Sequence, residues 1–398
     1  MPCPMAAFMV VPAGRGELQF GPVCHPGTSD AFARTTGMAK WPRVTDYRSA
    51  LLRELEQCRW RYVHGNWDHV QQGEEPPRPG VWNMRPRIGT GEVGCGAFLY
   101  GLLDDRASRE LLIKLMAYRI VGHHKIRLPR NTPEYWQGIR SMADLRTQAT
   151  PFPIKFMDLK LSVYDLKSLG YDLTCHATPE GLACVFVQKQ YEYHRGDVHC
   201  KTEAGDVVID AGSCWGETAT YFAHEAGPTG IVVAFEFIPS NLEVFRRNEN
   251  LNPHLKERIR RVEHPIWSSS GRKLYYVDWG PGSRITEDIN KYHSWEGMVE
   301  TATIDETVDR LGLSKVDFIK MDVEGAELDA LRGAEASIRK HRPKLAISLY
   351  HNPEDVETIP RYLAGLDLGY RFYLDHHTIY QNETVLFAVP GSRVHGNA

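Results

Sequence analysis

Two apolar runs that each end in an acid carry the residue types for cofactor chemistry. The first is Gly205-Asp-Val-Val-Ile-Asp210-Ala-Gly212-Ser213-Cys-Trp-Gly216, and the second is Ile231-Val-Val-Ala-Phe-Glu236-Phe237. A strand that breaks into glycines and restarts as a helix presents backbone N–H groups at the helix start, and an acid ending the next strand accepts from ribose hydroxyls. The first run has the form D-x-G-x-x-x-G, headed by Asp210. A carboxylate at that point repels a pyrophosphate but attracts an ammonium group and a sulfonium. The residues predict an S-adenosylmethionine site, with Asp210, Gly212, Ser213 and Gly216 in the turn and Glu236 on the ribose.

In an open parallel sheet the ligand lies outside the carboxyl ends of the strands. That rule selects Asp210 to Gly216, Glu236 and Phe237, Ile266 and Trp267, Asp322 to Gly325, Tyr350 to Asn352, and Asp375 to Thr378. In Val316-Asp-Phe-Ile-Lys320-Met-Asp322-Val-Glu324-Gly-Ala-Glu327 three carboxylates sit at a strand end and the following helix start. The helix dipole favours acids in a first turn by ~0.3–1 kcal/mol, which accounts for Glu327 but not for Asp322, placed ahead of the helix. Lys320 offsets part of this charge.

Three further blocks follow the glycine turn in order: Val299-Glu-Thr-Ala-Thr-Ile-Asp305, Ile319-Lys-Met-Asp-Val-Glu-Gly-Ala-Glu327 and Arg342-Pro343. With them the chain resembles the FkbM family of S-adenosylmethionine-dependent methyltransferases over about residues 181 to 390. The resemblance implies a Rossmann-like methyltransferase fold and, commonly, O-methylation of a sugar or natural-product hydroxyl. Cys214 departs from the pattern, since many methyltransferases carry a second glycine there.

Methyl transfer from a sulfonium is an in-line displacement, so the acceptor oxygen must be aligned and its proton removed. Histidine titrates near neutrality, and His351, His376 and His377 all follow strands on the ligand side. The expected base is His351, assisted by Asp322 or Glu324, with His376 and His377 as alternatives. A divalent ion such as magnesium held by the same acids and histidines would be another way to activate the hydroxyl, though no spacing is diagnostic of a metal. Gln190 and Tyr191 either cover the methyl donor or, for Tyr191, pack in the core.

Positioning these groups requires an α/β domain. From Gly181 onward apolar runs alternate with helical stretches, the pattern of a parallel sheet covered on both faces. Strands are expected over 182–188, 206–211, 231–237, 259–263, 316–321, 344–350, 370–374 and 384–389, and helices over 216–226, 239–250, 304–311, 326–340 and 354–368. The last two strands lack an intervening helix and should pair antiparallel. The result is a doubly wound sheet with a C-terminal antiparallel hairpin, plus a mainly helical N-terminal region. Residues 1–44 are expected to be loosely held, 45–180 to form an auxiliary or capping region, and 181–398 to bind the cofactor. Within the middle region a helix starts at Thr45 and ends before Gly65, Gln71 to Gly91 is a loop, a helix spans Ser108 to Val121 with Gly122 closing it, another starts at Pro133, and Phe156 to Leu182 alternates strand-like and turn-like pieces.

At 398 residues, 42% hydrophobic and 24% charged, the chain has the composition of a globular protein of two folded parts. A net charge of −3 gives no global reason to expect nucleic acid. The Met1-Pro-Cys-Pro start lacks a basic, then apolar, leader, no stretch nears the roughly 20 apolar residues of a membrane span, and the eight cysteines form no C-x-x-C pair. A cytoplasmic enzyme acting on a small-molecule acceptor, a glycoside among the options, is expected; homo-oligomerisation stays open. The competing readings are a nicotinamide-dependent oxidoreductase, a scaffold with a degenerate cofactor site, and an RNA methyltransferase using the Arg246-Arg247 and Arg258-Ile-Arg260-Arg261 clusters.

Overall fold

The computed structural model describes residues 44–58, 95–123, 125–147, 152–154, 160–292 and 294–391. The expectations for residues 1–43, for the loop from Gln71 to Gly91 and for the helix end before Gly65 lie outside the described residues.

Among the described residues four helices come first: α1 (Val44–Cys58), α2 (Ala97–Leu102), α3 (Arg106–Val121) and α4 (Pro133–Met142). Their ends follow from local chemistry. Asp105 caps α3 by accepting from Ser108 N at 2.7 Å, and Gly122, at φ 76°, closes it. Thr132 caps α4, whose first residue is Pro133. A three-stranded antiparallel sheet of β1 (Phe152–Pro153), β2 (Lys160–Asp165) and β3 (Thr174–Ala177) follows. Next come α5 (Pro179–Leu182), a π-helical turn over Ala183–Val187, and a hairpin of β4 (Tyr193–Arg195) and β5 (Val198–Cys200). The strand expected over 182–188 is therefore helical. Its apolar run is launched by Thr178, which accepts from Gly181 N at 3.2 Å, and by Pro179 at the first helical position.

The rest alternates as β6 (Val207–Ala211), α6 (Glu217–Glu225), β7 (Ile231–Phe235), α7 (Pro239–Leu251), β8 (Ile259–Val262), a separate antiparallel sheet of β9 (Lys273–Val277), β10 (Arg284–Thr286) and β11 (Gly297–Glu300), then α8 (Ile304–Arg310), β12 (Phe318–Met321), α9 (Glu327–Arg332), α10 (Glu335–His341), β13 (Lys344–Ser348), α11 (Asp355–Gly365), β14 (Tyr370–His376) and β15 (Thr384–Pro390). The central seven-stranded sheet has the order β14-β15-β13-β12-β6-β7-β8. All its neighbours are parallel except β15, which runs antiparallel to β13 and β14. The final hairpin is antiparallel as expected, yet its second strand inserts between β14 and β13 instead of adding at the rim.

Every residue of β6 and β12 is buried, as a parallel strand with both faces covered requires. One core joins Ile209, Ile319, Ile347 and Leu386 to Leu51, Leu99, Leu112 and Met116 of the N-terminal helices. Ser108 stitches α3 to β14, its Oγ accepting from Leu374 N at 2.9 Å. The opposite face packs Val208, Val232, Phe318 and Phe387 against Phe186, Tyr221 and Phe222. Among the described residues no helix is long and apolar enough to cross a membrane.

The helix expected over 326–340 is split at Gly333 and Ala334. A Cβ on Gly333 would stand 2.1 Å from the Trp267 carbonyl oxygen, so the break sits where another main chain presses in. Asp305 accepts from Ala336 N at 3.0 Å and Ser337 N at 2.7 Å, capping α10, while Thr303 caps α8. The Thr303-Ile-Asp305 block thus serves helix ends.

Candidate active site

The carboxyl edge of the parallel strands opens into two clefts with a common wall. Glu236, Phe237, Asn241, Ile266 and Gly280 border the first, about 540 Å³ to its mouth. Tyr135, Gln190, Tyr191, Thr218, Tyr350 and Glu383 border the second, about 1210 Å³ to its mouth. Gly212, Cys214, Pro281, Asp322 and Glu324 line both, so the clefts meet between the turn after β6 and the loop after β12.

Two glycines set the turn. Gly212 has φ 85°, and a Cβ on it would lie 1.9 Å from Asp322 O; Gly216 also has φ 85°, with the Phe245 ring 2.4 Å from where a Cβ would be. Asp322 N donates to Ala211 O at 3.0 Å, Ser213 N to Phe235 O at 2.9 Å and Gly216 N to Ser213 O at 2.7 Å. The N–H groups of Ser213 and Gly216 are thus consumed inside the fold. This corrects the expectation that they stand ready for a ligand.

Asp210 also plays a different part from the one its position suggests. It is fully buried, Lys320 Nζ lies 3.1 Å from its Oδ1, and Thr218 Oγ1 donates to its Oδ2 at 2.7 Å. Lys320 in turn donates to Gly212 O at 2.5 Å and to Ala211 O at 3.3 Å. Burial would lower the Lys320 ammonium's pKa, but the charges of Asp210 and Asp322 outweigh it and hold it above its ordinary value. Asp210 anchors a lysine that pins the turn; it does not face the cleft with an uncompensated charge. Glu217, the first residue of α6, is pushed up to about 7 by burial.

Glu236 ends β7 as expected. Its Oε1 accepts from Phe237 N and Ile238 N, both at 2.7 Å, and its Oε2 from Asn241 Nδ2 at 3.3 Å. Burial raises its pKa to about 7 against those bonds. Ile266 joins it in the cleft wall. Trp267 lines neither cleft; its N–H donates to Ala302 O at 3.0 Å, because the chain has already turned away to meet the strand ahead of α8.

The loop after β12 and the end of β13 hold a charged cluster. His351 Nε2 lies 3.4 Å from Asp322 Oδ1 and 3.3 Å from Glu324 Oε1, and its Nδ1 lies 2.8 Å from Glu327 Oε1. Burial alone would neutralise the imidazole, but Glu327 and Glu324 reverse the direction and hold its pKa well above the ordinary histidine value. Its side chain has no exposed surface and no place in either cleft lining. The residue expected as the base therefore has both ring nitrogens against carboxylates and lies behind the cleft walls. Burial would raise Asp322, yet the charges of His351 and Lys320 and the hydroxyls of Tyr191 and Tyr350 hold it below the usual carboxylate range. Asp322, Glu324 and His351 each offer an atom within 4.8 Å of the others, a spacing a divalent ion could bridge. Glu327 is fully buried and also accepts from Val323 N at 2.9 Å, so it does far more than answer a helix dipole.

Residues 194–372 match the family described as "Methyltransferase FkbM domain". The match covers just under half of the chain, and this stretch is similar to an FkbM methyltransferase domain. It is similar to the 2-O-methyltransferase NoeI of Sinorhizobium fredii (strain NBRC 101917 / NGR234), with 29% identity over 164 residues, 37% of this chain and 65% of that protein. This chain therefore spans just under two thirds of that relative's length. Two solved structures are also similar: methyltransferase FkbM from Methylobacillus flagellatus KT (TM-score 0.45, 19% identity, 74% of this chain and 58% of that one) and an O-methyltransferase from Bacillus cereus in complex with SAH (TM-score 0.31, 13% identity, 52% and 78%).

The two remaining histidines lie just beyond the matched segment and outside both clefts. His376 Nδ1 lies 2.9 Å from Thr384 Oγ1, both rings are buried, and neither residue lines a cleft. Burial and the neighbouring His377 push His376 down to about 3, and burial with the Arg130 and Arg195 charges pushes His377 well below the ordinary value. Three of the five arginines in the basic clusters are paired with acids, Arg246 with Glu263 at 3.0 Å, Arg247 with Glu243 at 3.0 Å, and Arg261 with Glu249, while Arg258 donates to Ala223 O at 3.2 Å.

Tyr191 and Gln190 do reach the site, from the end of the π-helical turn. Tyr191 Oη donates to Asp322 Oδ2 at 2.7 Å, and Gln190 Nε2 donates to Glu383 Oε2. Tyr350, one of the strand-end residues selected from sequence, lines the second cleft, where Glu217 and Glu383 join it without having been singled out. Among the described residues Cys214, Glu324 and Glu383 are three of the six non-glycines with positive φ, at 48°, 56° and 64°. Such strained positions concentrate at functional sites.

Proposed function

We propose that the chain is an S-adenosylmethionine-dependent O-methyltransferase, acting on a hydroxyl of a sugar or natural-product small molecule. One observation carries the reading: the cleft bordered by Glu236 and Ile266 joins the larger cleft across Gly212 and Asp322. A donor with its ribose on Glu236 would direct its sulfonium towards Asp322, Glu324 and Glu383, where negative charge favours a cation. The name of the similar protein, a 2-O-methyltransferase, supports oxygen as the acceptor atom. The second cleft sets hydroxyls and amides of Tyr135, Thr178, Gln188, Tyr380 and Asn382 among the apolar surfaces of Val185, Trp215 and Pro281, a lining suited to an uncharged acceptor that carries hydroxyls. The α4, α5 and π-turn residues in that wall give the region before the matched segment a part in acceptor choice.

In this reading Lys320 and the glycines shape the floor, Asp322 stays ionised beside the sulfonium, and His351 balances the acids from behind. Calorimetry of the full chain with S-adenosylmethionine, S-adenosylhomocysteine and NADH tests it, together with transfer of labelled methyl to methyl glycosides bearing free hydroxyls. Saturable heat with the first two and none with NADH is expected. Binding of NADH alone would overturn the assignment.

A further inference from the structure

Tyr350 Oη lies 3.0 Å from Asp322 Oδ1 and 3.2 Å from Glu383 Oε2, so one phenol bridges two carboxyl groups. A phenol has a single proton to donate. With both carboxyls ionised only one contact is a hydrogen bond, and the other sets two lone pairs against each other in a half-buried site. Both contacts are satisfied if one carboxyl keeps its proton and donates it to Tyr350, which donates onward. The surroundings choose which. Asp322 has the Lys320 and His351 charges beside it and the Tyr191 hydroxyl on its Oδ2. Among the described residues Glu383 has no cation at hydrogen-bond distance; its partners are Tyr350, Gln190 and, at 3.4 Å, the Asn382 amide. Gln190 is fixed in turn by Cys184, whose Sγ donates to its Oε1 at 3.1 Å.

We propose that Glu383 is the general base of the transfer, stored protonated in the free enzyme and released by the positive charge of the bound methyl donor. The inference rests on the methyltransferase reading above. Glu383 lines the acceptor cleft next to Asp322 and Tyr350. Burial and the Asp322 charge push its pKa up to about 8, partly countered by His351. The groups facing it are Asp322, Glu324 and Lys320 from the β12 edge, Tyr350 and His351 from the β13 edge, and Tyr191 and Cys184 from the π-turn segment. A sulfonium added to this acidic set favours the ionised form, and the displaced proton leaves through the cleft mouth. In the transfer, the acceptor oxygen forms its bond to the methyl carbon while the carbon–sulfur bond breaks with its electron pair on sulfur. The acceptor proton passes to the Glu383 carboxylate. The products are the methyl ether, neutral S-adenosylhomocysteine and protonated Glu383, which restores the resting state.

The test is calorimetry on the full chain at pH 7 in phosphate and in Tris, buffers of different ionisation enthalpy, with S-adenosylmethionine and with S-adenosylhomocysteine. The expected result is release of most of a proton with the charged donor and very little with its neutral product, a difference abolished in Glu383→Gln while both ligands still bind. Buffer-independent heats for S-adenosylmethionine, or a difference that persists in Glu383→Gln, would overturn the inference and leave the methyltransferase reading intact. Absence of binding by either ligand would overturn both. The wild-type comparison stands without any variant, so a poorly folding substitution does not blunt it. Once an acceptor is in hand, Glu383→Gln should lower kcat by ~10²–10⁴-fold with donor affinity retained.

Discussion

Lys320 Nζ and Asp210 Oδ1 stand 3.1 Å apart with 1% and 0% of their side chains exposed, directly beneath the glycine turn that joins the two clefts. Removing one partner of a buried ion pair leaves an uncompensated charge, which costs far more than the pair itself contributes. Lys320→Met should therefore destabilise the protein by about 3–5 kcal/mol. It should also free the Gly212 carbonyl and weaken donor binding. Urea unfolding monitored by tryptophan fluorescence measures the first effect. A loss below about 1 kcal/mol, the scale of an exposed pair, would mean that solvent reaches Asp210 and the pair is not closed.

The close approach at Gly212 separates steric need from conformational preference. Gly212 and Gly227 both have positive φ, 85° and 68°, but a Cβ on Gly227 meets nothing within 4 Å whereas one on Gly212 collides with Asp322 O. Gly227→Ala should cost about 1 kcal/mol for the left-handed backbone alone. Gly212→Ala should cost several times that and lower the affinity for S-adenosylhomocysteine at least tenfold, because Asp322 must move. Equal effects of the two substitutions in thermal unfolding and calorimetry would refute the contact.

The same collision explains which parts of the site could be read in the residue order. The acids at 210, 236 and 322 end buried parallel strands, so an apolar run followed by an acid located them. Glu383 escaped because the rule looks at residues after strands. Strand β15 is antiparallel, and Val385 pairs with Ser348 at the end of β13. Its first residues therefore sit at the carboxyl edge, and Glu383 precedes them. The expectation of an antiparallel final hairpin already contained that placement. The roles of His351 and Asp210 were out of reach for another reason: each depends on partners from distant segments, Glu327 and Lys320, that fill the space a ligand or proton would use. The 182–188 segment was read by its apolar content, although Thr178-Pro179 ahead of it has the form of a helix start.

The three histidines should separate by function in a characteristic way. His376 and His377 lie outside both clefts, so His376→Asn should leave kcat within about twofold, any loss appearing as stability. His351→Gln should be worse on two counts. It leaves Glu327, Glu324 and Asp322 without their shared cation, and it raises the pKa of the carboxyls that His351 holds down. Turnover per folded molecule should fall, and the alkaline-going limb of its pH profile should move to higher pH, as expected of a positioning residue. A lost limb with no displacement would instead restore His351 as the base.

Stability should decline as the pH rises above neutrality. Burial raises Glu217, Glu236 and Asp355 to about 7, and burial with the Asp322 charge raises Glu383 to about 8. A group whose folded pKa is raised binds its proton more tightly when folded. Its contribution is complete below the unfolded value and disappears as the pH climbs through the folded one. His351, raised by its acidic neighbours, acts in the same direction. His376 and His377 act oppositely, since their depressed values make the fold lose stability below the ordinary histidine range, but they are silent above it. The melting temperature of the ligand-free protein should hence fall between pH 6.5 and 9, with Glu217→Gln giving a shallower decline. A melting temperature that is flat or rising across that interval would show that these carboxyls reach water in the free protein, and with it the closed character of the crevice would be lost.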